Sequence, residues 1–504
     1  MSLVERLIKN ASYSVMAGLT SAVGSFVSAA IVARTLGVDG MASVAMALWI
    51  VFFATTVADV GVTGSLARFM TPETRTGGAD GLRAFVWNRF KILLIAIVFG
   101  LLLTAVVLTF YWSDIVEKYS ADRQEAYLIC GLIFICFVVH MLFAFCYQYL
   151  RGSLDFKVIG RYSMGGSVLQ VIGVFIGSHQ FGVVGALAGY VLASLPMLSV
   201  LSRLRASGAA PPPQDRLIVR RYALSFYVAA LFSPLLWVRA DLLLVDQIAG
   251  ATAVGLFAAA STVAALLIQV CQMVCNALLP NILHAAAEQP GSLSRISGTV
   301  TRFGVFILLP ACFIGAALAP DAIELVYGAA FRDAGPTAAL LGCAAAASAI
   351  TLVLSGVLNA TDSNVALVRS GVVGAALTIV LGIAFVTQFG LIGAAVGRFG
   401  AQSVVAAMNI AAANRIVPHL VQIGWLSRYF FVSATAGLAA WMMSYGDGLL
   451  VLLRGGLIGT LTLLVLTVLA LRLVKDDREA LVQSIAGQPP FIRRAAAFLV
   501  GGMK

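Results

Sequence analysis

The sequence predicts an all-α polytopic membrane protein with about fourteen transmembrane helices, on three observations. Of its 504 residues, 61% are hydrophobic and only 11% are charged, where a soluble domain carries roughly 25% charged residues. Apolar runs of about 20 residues, the length that crosses a bilayer, follow one another with short connections. Lys and Arg then fall mostly on alternate connections, the bias that orients membrane helices.

Six spans open the chain: Ser12 to Ala33, Met41 to Gly64, Ile92 to Tyr111, Ala126 to Tyr149, Tyr162 to Gly177 and Gly182 to Leu201. Arg6 and Lys9 precede the first, which lacks the short apolar region and cleavage site of a signal peptide and reads as a retained helix. Six more follow: Tyr222 to Val245, Ala253 to Leu279, Val300 to Ala319, Thr337 to Leu358, Val365 to Phe385 and Leu391 to Ala411. Trp425 to Tyr445 and Gly448 to Leu473 complete the set. Of the 33 Lys and Arg, only Arg34, Lys118, Arg123, Arg239, Arg332, Arg398 and Arg454 fall on the side opposite the termini, so both termini are expected in the cytoplasm.

An internal repeat organises these spans. Arg161, Gly166, Gln180, Phe181, Gly182, Gly185, Ala186, Gly189 and Ala193 recur 208 residues later as Arg369, Gly374, Gln388, Phe389, Gly390, Gly393, Ala394, Gly397 and Ala401. Six spans separate the copies, so two lobes of like orientation are expected, the parallel-repeat plan of many secondary transporters. The expected domains are an N-terminal lobe over 1–201, a cytoplasmic linker over 202–221 and a C-terminal lobe over 222–414, followed by two added helices over 415–474 and a tail over 475–504 that lies on the membrane surface. Pro211, Pro212 and Pro213 stiffen the linker.

Several function classes drop out. No connection is long enough for a catalytic or nucleotide-binding domain, and GxxxxGK[ST] is absent, so neither an enzyme nor an ATP-driven pump is indicated and no cofactor is expected. The net charge of +11 sits in the short connections, which points to the membrane surface and away from nucleic acid. The seven Cys and four His lack CxxC and zinc-ligand spacing, so neither a metal site nor a disulfide framework is expected. Cys271 and Cys275, four apart, read as small packing residues.

Ionisable residues inside spans are the candidate functional groups, because each costs roughly 2.5 to 3.5 kcal/mol at a helix centre and usually faces a wet cavity or a partner. The stretch Leu236 to Ala260 carries Arg239, Asp241 and Asp246. Arg239 and Asp246, seven apart, share a face, and Asp241 points nearly the opposite way; Asp246 also reads as a helix-end residue. Arg398 lies well inside the twelfth span, at the position Tyr190 occupies in the first repeat. Arg34 and Arg68 close the first and second spans, where their side chains can reach the interface. Asp59, followed by Gly61 and Gly64, suggests a kinked inner end and either ion coupling or a structural hydrogen bond. His140 is the histidine well inside a span, a proton shuttle or a satisfied core residue. Ser14, Gly18, Ser21, Ser25 and Ser28 form one stripe on the first span, either a close helix contact or the polar wall of a cavity. Gln269, Gln272, Asn276 and Asn281 form a looser polar set that could bind sugar hydroxyls or bridge helices.

VARTLGVDGMASVAMALWI with ADVGVTGSLARF, and RADLLLVDQIAGATAVGLFAAA leading to LLPNI, resemble the signatures of bacterial oligosaccharide and exopolysaccharide repeat-unit flippases of the multidrug, oligosaccharidyl-lipid and polysaccharide exporter superfamily. The resemblance covers most of the chain and is weakest in the last two spans. It implies two six-helix bundles around a central cavity, in the bacterial inner membrane, that carry an undecaprenyl-diphosphate-linked oligosaccharide outward by alternating access. It implies cavity arginines on the diphosphate, with Arg239 in a matching motif and Arg34 and Arg398 by location, and leaves room for H+ or Na+ coupling and for polysaccharide-assembly partners. The alternatives within the superfamily are a lipid II flippase and a cation-coupled drug exporter. A membrane polysaccharide polymerase or ligase is the alternative from another class, and it would need a larger external loop than Trp112 to Glu125.

Overall fold

The structure is a computed structural model that describes residues 3–70, 78–204, 219–224, 227, 240–288, 293–361, 363–444 and 448–472. Arg239, the proline-rich part of the linker and the tail over 475–504 lie outside the described residues. Every regular element among the described residues is helical. In the first part of the chain these are α1 (Leu3–Ala58), α2 (Val62–Phe69), α3 (Gly78–Phe110), α4 (Trp112–Lys118), α5 (Arg123–Gly152), α6 (Phe156–Leu192) and the single turn α7 (Leu195–Leu198). The later ones are α8 (Ala240–Ala249), α9 (Ala251–Glu288), α10 (Leu293–Tyr327), α11 (Gly335–Ala360), α12 (Asn364–Ile416), α13 (Ile423–Met442) and α14 (Leu449–Arg472). Nine of the described helices are long and apolar enough to cross a membrane, as the all-helical, multi-pass reading requires.

Three of these helices are interrupted within their length. The 56 residues of α1 would extend about 84 Å at 1.5 Å per residue, nearly three times the roughly 30 Å hydrocarbon core. Each is broken once, by a glycine in a conformation that L side chains rarely adopt: Gly37 in α1 (φ 68°), Gly182 in α6 (φ 58°) and Gly390 in α12 (φ 55°). The breaks in α6 and α12 are tight helical hairpins. A Cβ at Gly185 would land on the Gly177 carbonyl, and one at Gly393 on the Phe385 carbonyl. The repeated QFGxxGAxxG motif therefore has a backbone explanation: its first glycine makes the reversal and its second lets the two arms touch.

Hydropathy marks the apolar part of a helix and misses its polar extensions. α3 begins at Gly78, well before the expected Ile92, because Arg83, Arg89 and Lys91 continue the same helix into the polar region. Within its apolar part, Ile95, Val98, Leu102 and Val106 are exposed at 69, 59, 65 and 51%. A row of apolar side chains turned outward is what lipid as solvent selects.

The chain divides into two compact units, one of residues 1–262 with 371–397 and the other of 263–370 with 398–504. In the first unit α1 packs along α6, and a cluster of Ala17, Cys146, Leu150, Ile159, Met197 and Val200 closes one end. In the second unit α10 packs against α11 and α13 around Leu308, Leu309, Cys312, Leu354 and Leu358. Cys271 is buried in that core with its Sγ 3.7 Å from Cys312 Sγ, and all seven Cys are free, so Cys271 packs as a small apolar residue.

Candidate functional site

The first unit holds a cavity of about 360 Å³ walled by α1, α5 and α6. Ser21 and Ser25, one turn apart on α1, line it, while Gly24 beside them lets α1 approach α6 so closely that an added Cβ would sit 2.8 Å from Ser167 Cβ. Ser21 and Ser25 of the serine stripe thus form the polar wall that its spacing allowed, and the close helix contact falls to Gly24, outside the stripe. From α5 comes His140, with its ring roughly parallel to that of Phe143 at 6.0 Å between centroids. From α6 come Ser167, Gln170 and Tyr190. Gln170 is 7% exposed and its Nε2 has no hydrogen-bond partner.

The second unit holds a buried polar face on the second arm of α12. Arg398, Gln402 and Asn409 lie four and seven residues apart, on one side of the helix, at 7, 5 and 0% exposure. Gln402 accepts a short hydrogen bond from Ser348 of α11, and Asn409 Oδ1 accepts one from Ser370 at 2.9 Å. Thr351, one turn along α11 from Ser348, is buried with an unpartnered hydroxyl.

The two acids of α8 are both buried. Asp246, at 1% exposure, accepts from Tyr119 Oη at 2.5 Å and from Gln247 Nε2 at 2.9 Å, with Lys118 Nζ at 3.9 Å. Burial and this hydrogen bond hold the Tyr119 phenol well above its ordinary pKa, so it stays a donor. Asp246 is therefore clasped to the connection after α3, across 127 residues of sequence. Asp241, at 2% exposure, accepts from the Leu242 amide at 3.1 Å.

Asp59 sits in the break between α1 and α2, as a kink at this point predicts. Its Oδ1 accepts from the Thr63 amide at 3.2 Å and its Oδ2 from the Thr63 hydroxyl at 3.0 Å, so it caps the short helix that follows. Tyr227 donates to the Val57 carbonyl at 2.8 Å, a group that the break takes out of the helix ladder. Arg34 is exposed on α1 just before Gly37, and Arg68 lies over the Tyr222 ring at 4.5 Å.

The structure thus brings Arg398 to one buried face and His140 to one cavity, ties Asp246 and Asp59 to local partners, and leaves Arg34 on the surface. Gln170, Tyr190, Gln402 and Asn409 were not among the predicted site residues. The one sequence signal for any of them is the repeat, which aligns Tyr190 with Arg398. Among the described residues no three His, Cys, Asp or Glu side chains gather as metal ligands would.

The model of a family described as "Polysaccharide biosynthesis protein" matches residues 7–285, more than half of the chain. No curated protein sequence matches it. Among solved structures, the lipid II flippase MurJ in an inward closed conformation superposes at TM-score 0.72 and 13% identity, over 91% of this chain and 98% of that one. An inward-facing multidrug resistance MATE family transporter of the MOP superfamily superposes at 0.62 and 15% identity, over 79 and 95%. A MOP superfamily transporter from Pyrococcus furiosus does so at 0.60 and 14% identity, over 82 and 96%. At such identities the likeness is one of fold.

Proposed function

Because this chain belongs to the polysaccharide biosynthesis protein family, we propose that it is a secondary transporter that flips an undecaprenyl-diphosphate-linked oligosaccharide across the bacterial inner membrane for surface polysaccharide export. The observation that carries this reading is Arg398, buried at 7% exposure on a helix long and apolar enough to cross a membrane. A diphosphate is an anion with paired oxygens, and a planar guanidinium binds such groups in a bidentate fashion. Arg239 and Arg34 are further arginines proposed to bind diphosphate, Arg34 from an exposed position on α1. Two repeats of like orientation support alternating access, with lobes over 1–201 and 222–414, both termini cytoplasmic, and a proton or sodium gradient as the energy source.

Deletion followed by analysis of lipid-linked intermediates tests the reading. An undecaprenyl-linked oligosaccharide should accumulate on the cytoplasmic face and surface polysaccharide should be lost. Unchanged surface glycan with no accumulated intermediate would overturn it. Accumulation of lipid II instead would transfer the activity to that substrate.

A further inference from the structure

We propose that the cavity walled by α1, α5 and α6 is a subsite for a neutral sugar of the transported glycan, with Gln170 and Tyr190 as its principal hydrogen-bonding groups. The inference rests on the transporter reading above and adds to it where the sugar, as distinct from the diphosphate, is held.

Gln170 points to a ligand. An amide donor that is buried and unpaired costs about 1–3 kcal/mol, and Gln170, a residue of the cavity wall, is 93% buried by its 7% exposure with Nε2 unpartnered. A group that brings an acceptor oxygen to that point recovers the cost.

The chemistry of the wall then limits what that group is. No Asp, Glu, Lys or Arg lines the cavity. A bound cation would call for carboxylate or clustered carbonyl oxygens, and a phosphate for guanidinium or ammonium groups. What the wall offers instead is hydroxyls from Ser21, Ser25 and Tyr190, the Gln170 amide and the His140 imidazole, all of which pair with neutral hydroxyls. Ser167 spends its proton on the Ser163 carbonyl at 2.9 Å and keeps its lone pairs. Phe52 and Phe143 add apolar surface for the C–H face of a ring. A few directed polar groups on an otherwise apolar wall is how small-molecule sites fix orientation. At about 360 Å³ the cavity suits a sugar residue better than a whole repeat unit.

The repeat supports this division. Tyr190 and Arg398 occupy equivalent positions, and the first is a neutral hydroxyl on a cavity while the second is a buried cation.

The test uses the full chain in lipid nanodiscs, with direct binding of methyl glucoside, methyl N-acetylglucosaminide, methyl galactoside and glucuronate, and separately of sugar-free undecaprenyl diphosphate. At least one neutral glycoside should saturate, glucuronate should not compete with it, and Gln170→Leu should weaken it about tenfold or more. Ser25→Trp, which fills the cavity from an exposed position, should abolish it, so the result does not hang on one buried substitution. If no glycoside saturates, if glucuronate binds equally well, or if both folded variants bind like the parent, the subsite is wrong. Undecaprenyl diphosphate bound without any glycoside overturns the subsite and leaves the transporter reading standing. A glycoside bound at Gln170 without the lipid supports the subsite and counts against that reading.

Discussion

Arg398 and Asp59 are both charges within an apolar sequence, and their surroundings separate them. Arg398 is buried among polar groups with Gln402 one turn away, so Arg398→Ala should cut glycan export by about tenfold or more, the worth of a charged hydrogen bond. Arg398→Lys should recover only part of it, since an ammonium lacks the planar fork. Export by strains carrying each variant, normalised to protein in the membrane, measures both effects. Asp59 has both oxygens engaged by Thr63. Asp59→Ala should cost about 0.5–2 kcal/mol as a lost cap, and Asn should largely restore it. Thermal unfolding of the purified variants reads the difference. Asn also removes the charge, so unaltered dependence on an ion gradient in Asp59→Asn would exclude coupling at this position.

At the scale of elements, the helical hairpins and the Asp246 clasp make the strongest claims. Gly182 and Gly390 adopt φ near +55° with ψ near −130°, a region essentially reserved for glycine, so alanine at either should cost about 1–3 kcal/mol. A lowered melting temperature for both variants, with Gly371→Ala as a control in open space, checks this. Tyr119→Phe removes a donor from a buried carboxylate and should destabilise by about 1–3 kcal/mol; a melting temperature equal to the parent's would show the clasp to be idle. The hairpins were legible in part. The repeated glycines stood out in the sequence, although their spacing alone did not say that one turns the chain and the next admits a neighbouring backbone. The clasp was not legible, because Tyr119 is an unremarkable residue in a connection and only the fold brings it to Asp246.

For the whole molecule, hydropathy carried most of the architecture, because a bilayer leaves few ways to satisfy a backbone. Helix ends were less legible, since polar residues such as Arg83 and Arg89 extend α3 without altering the apolar count. Sites were legible only where a charge broke the pattern. Neutral groups such as Gln170, Gln402 and Asn409 cost little in composition and leave no trace until helices are packed. The charge bias makes one prediction at this scale: reporters fused after Met1 and after Lys504 should both be active only in the cytoplasm, and a periplasmic signal from either would overturn the assigned orientation. The division into units has a consequence in time. The first unit draws on residues 371–397, so it is incomplete until the ribosome has passed Gly397. At about 5–20 residues per second, residues 263–370 alone take roughly 5–20 s to synthesise. For that interval the first spans wait without the first arm of α12, which makes this the stage at which a chaperone or a protease would meet the chain.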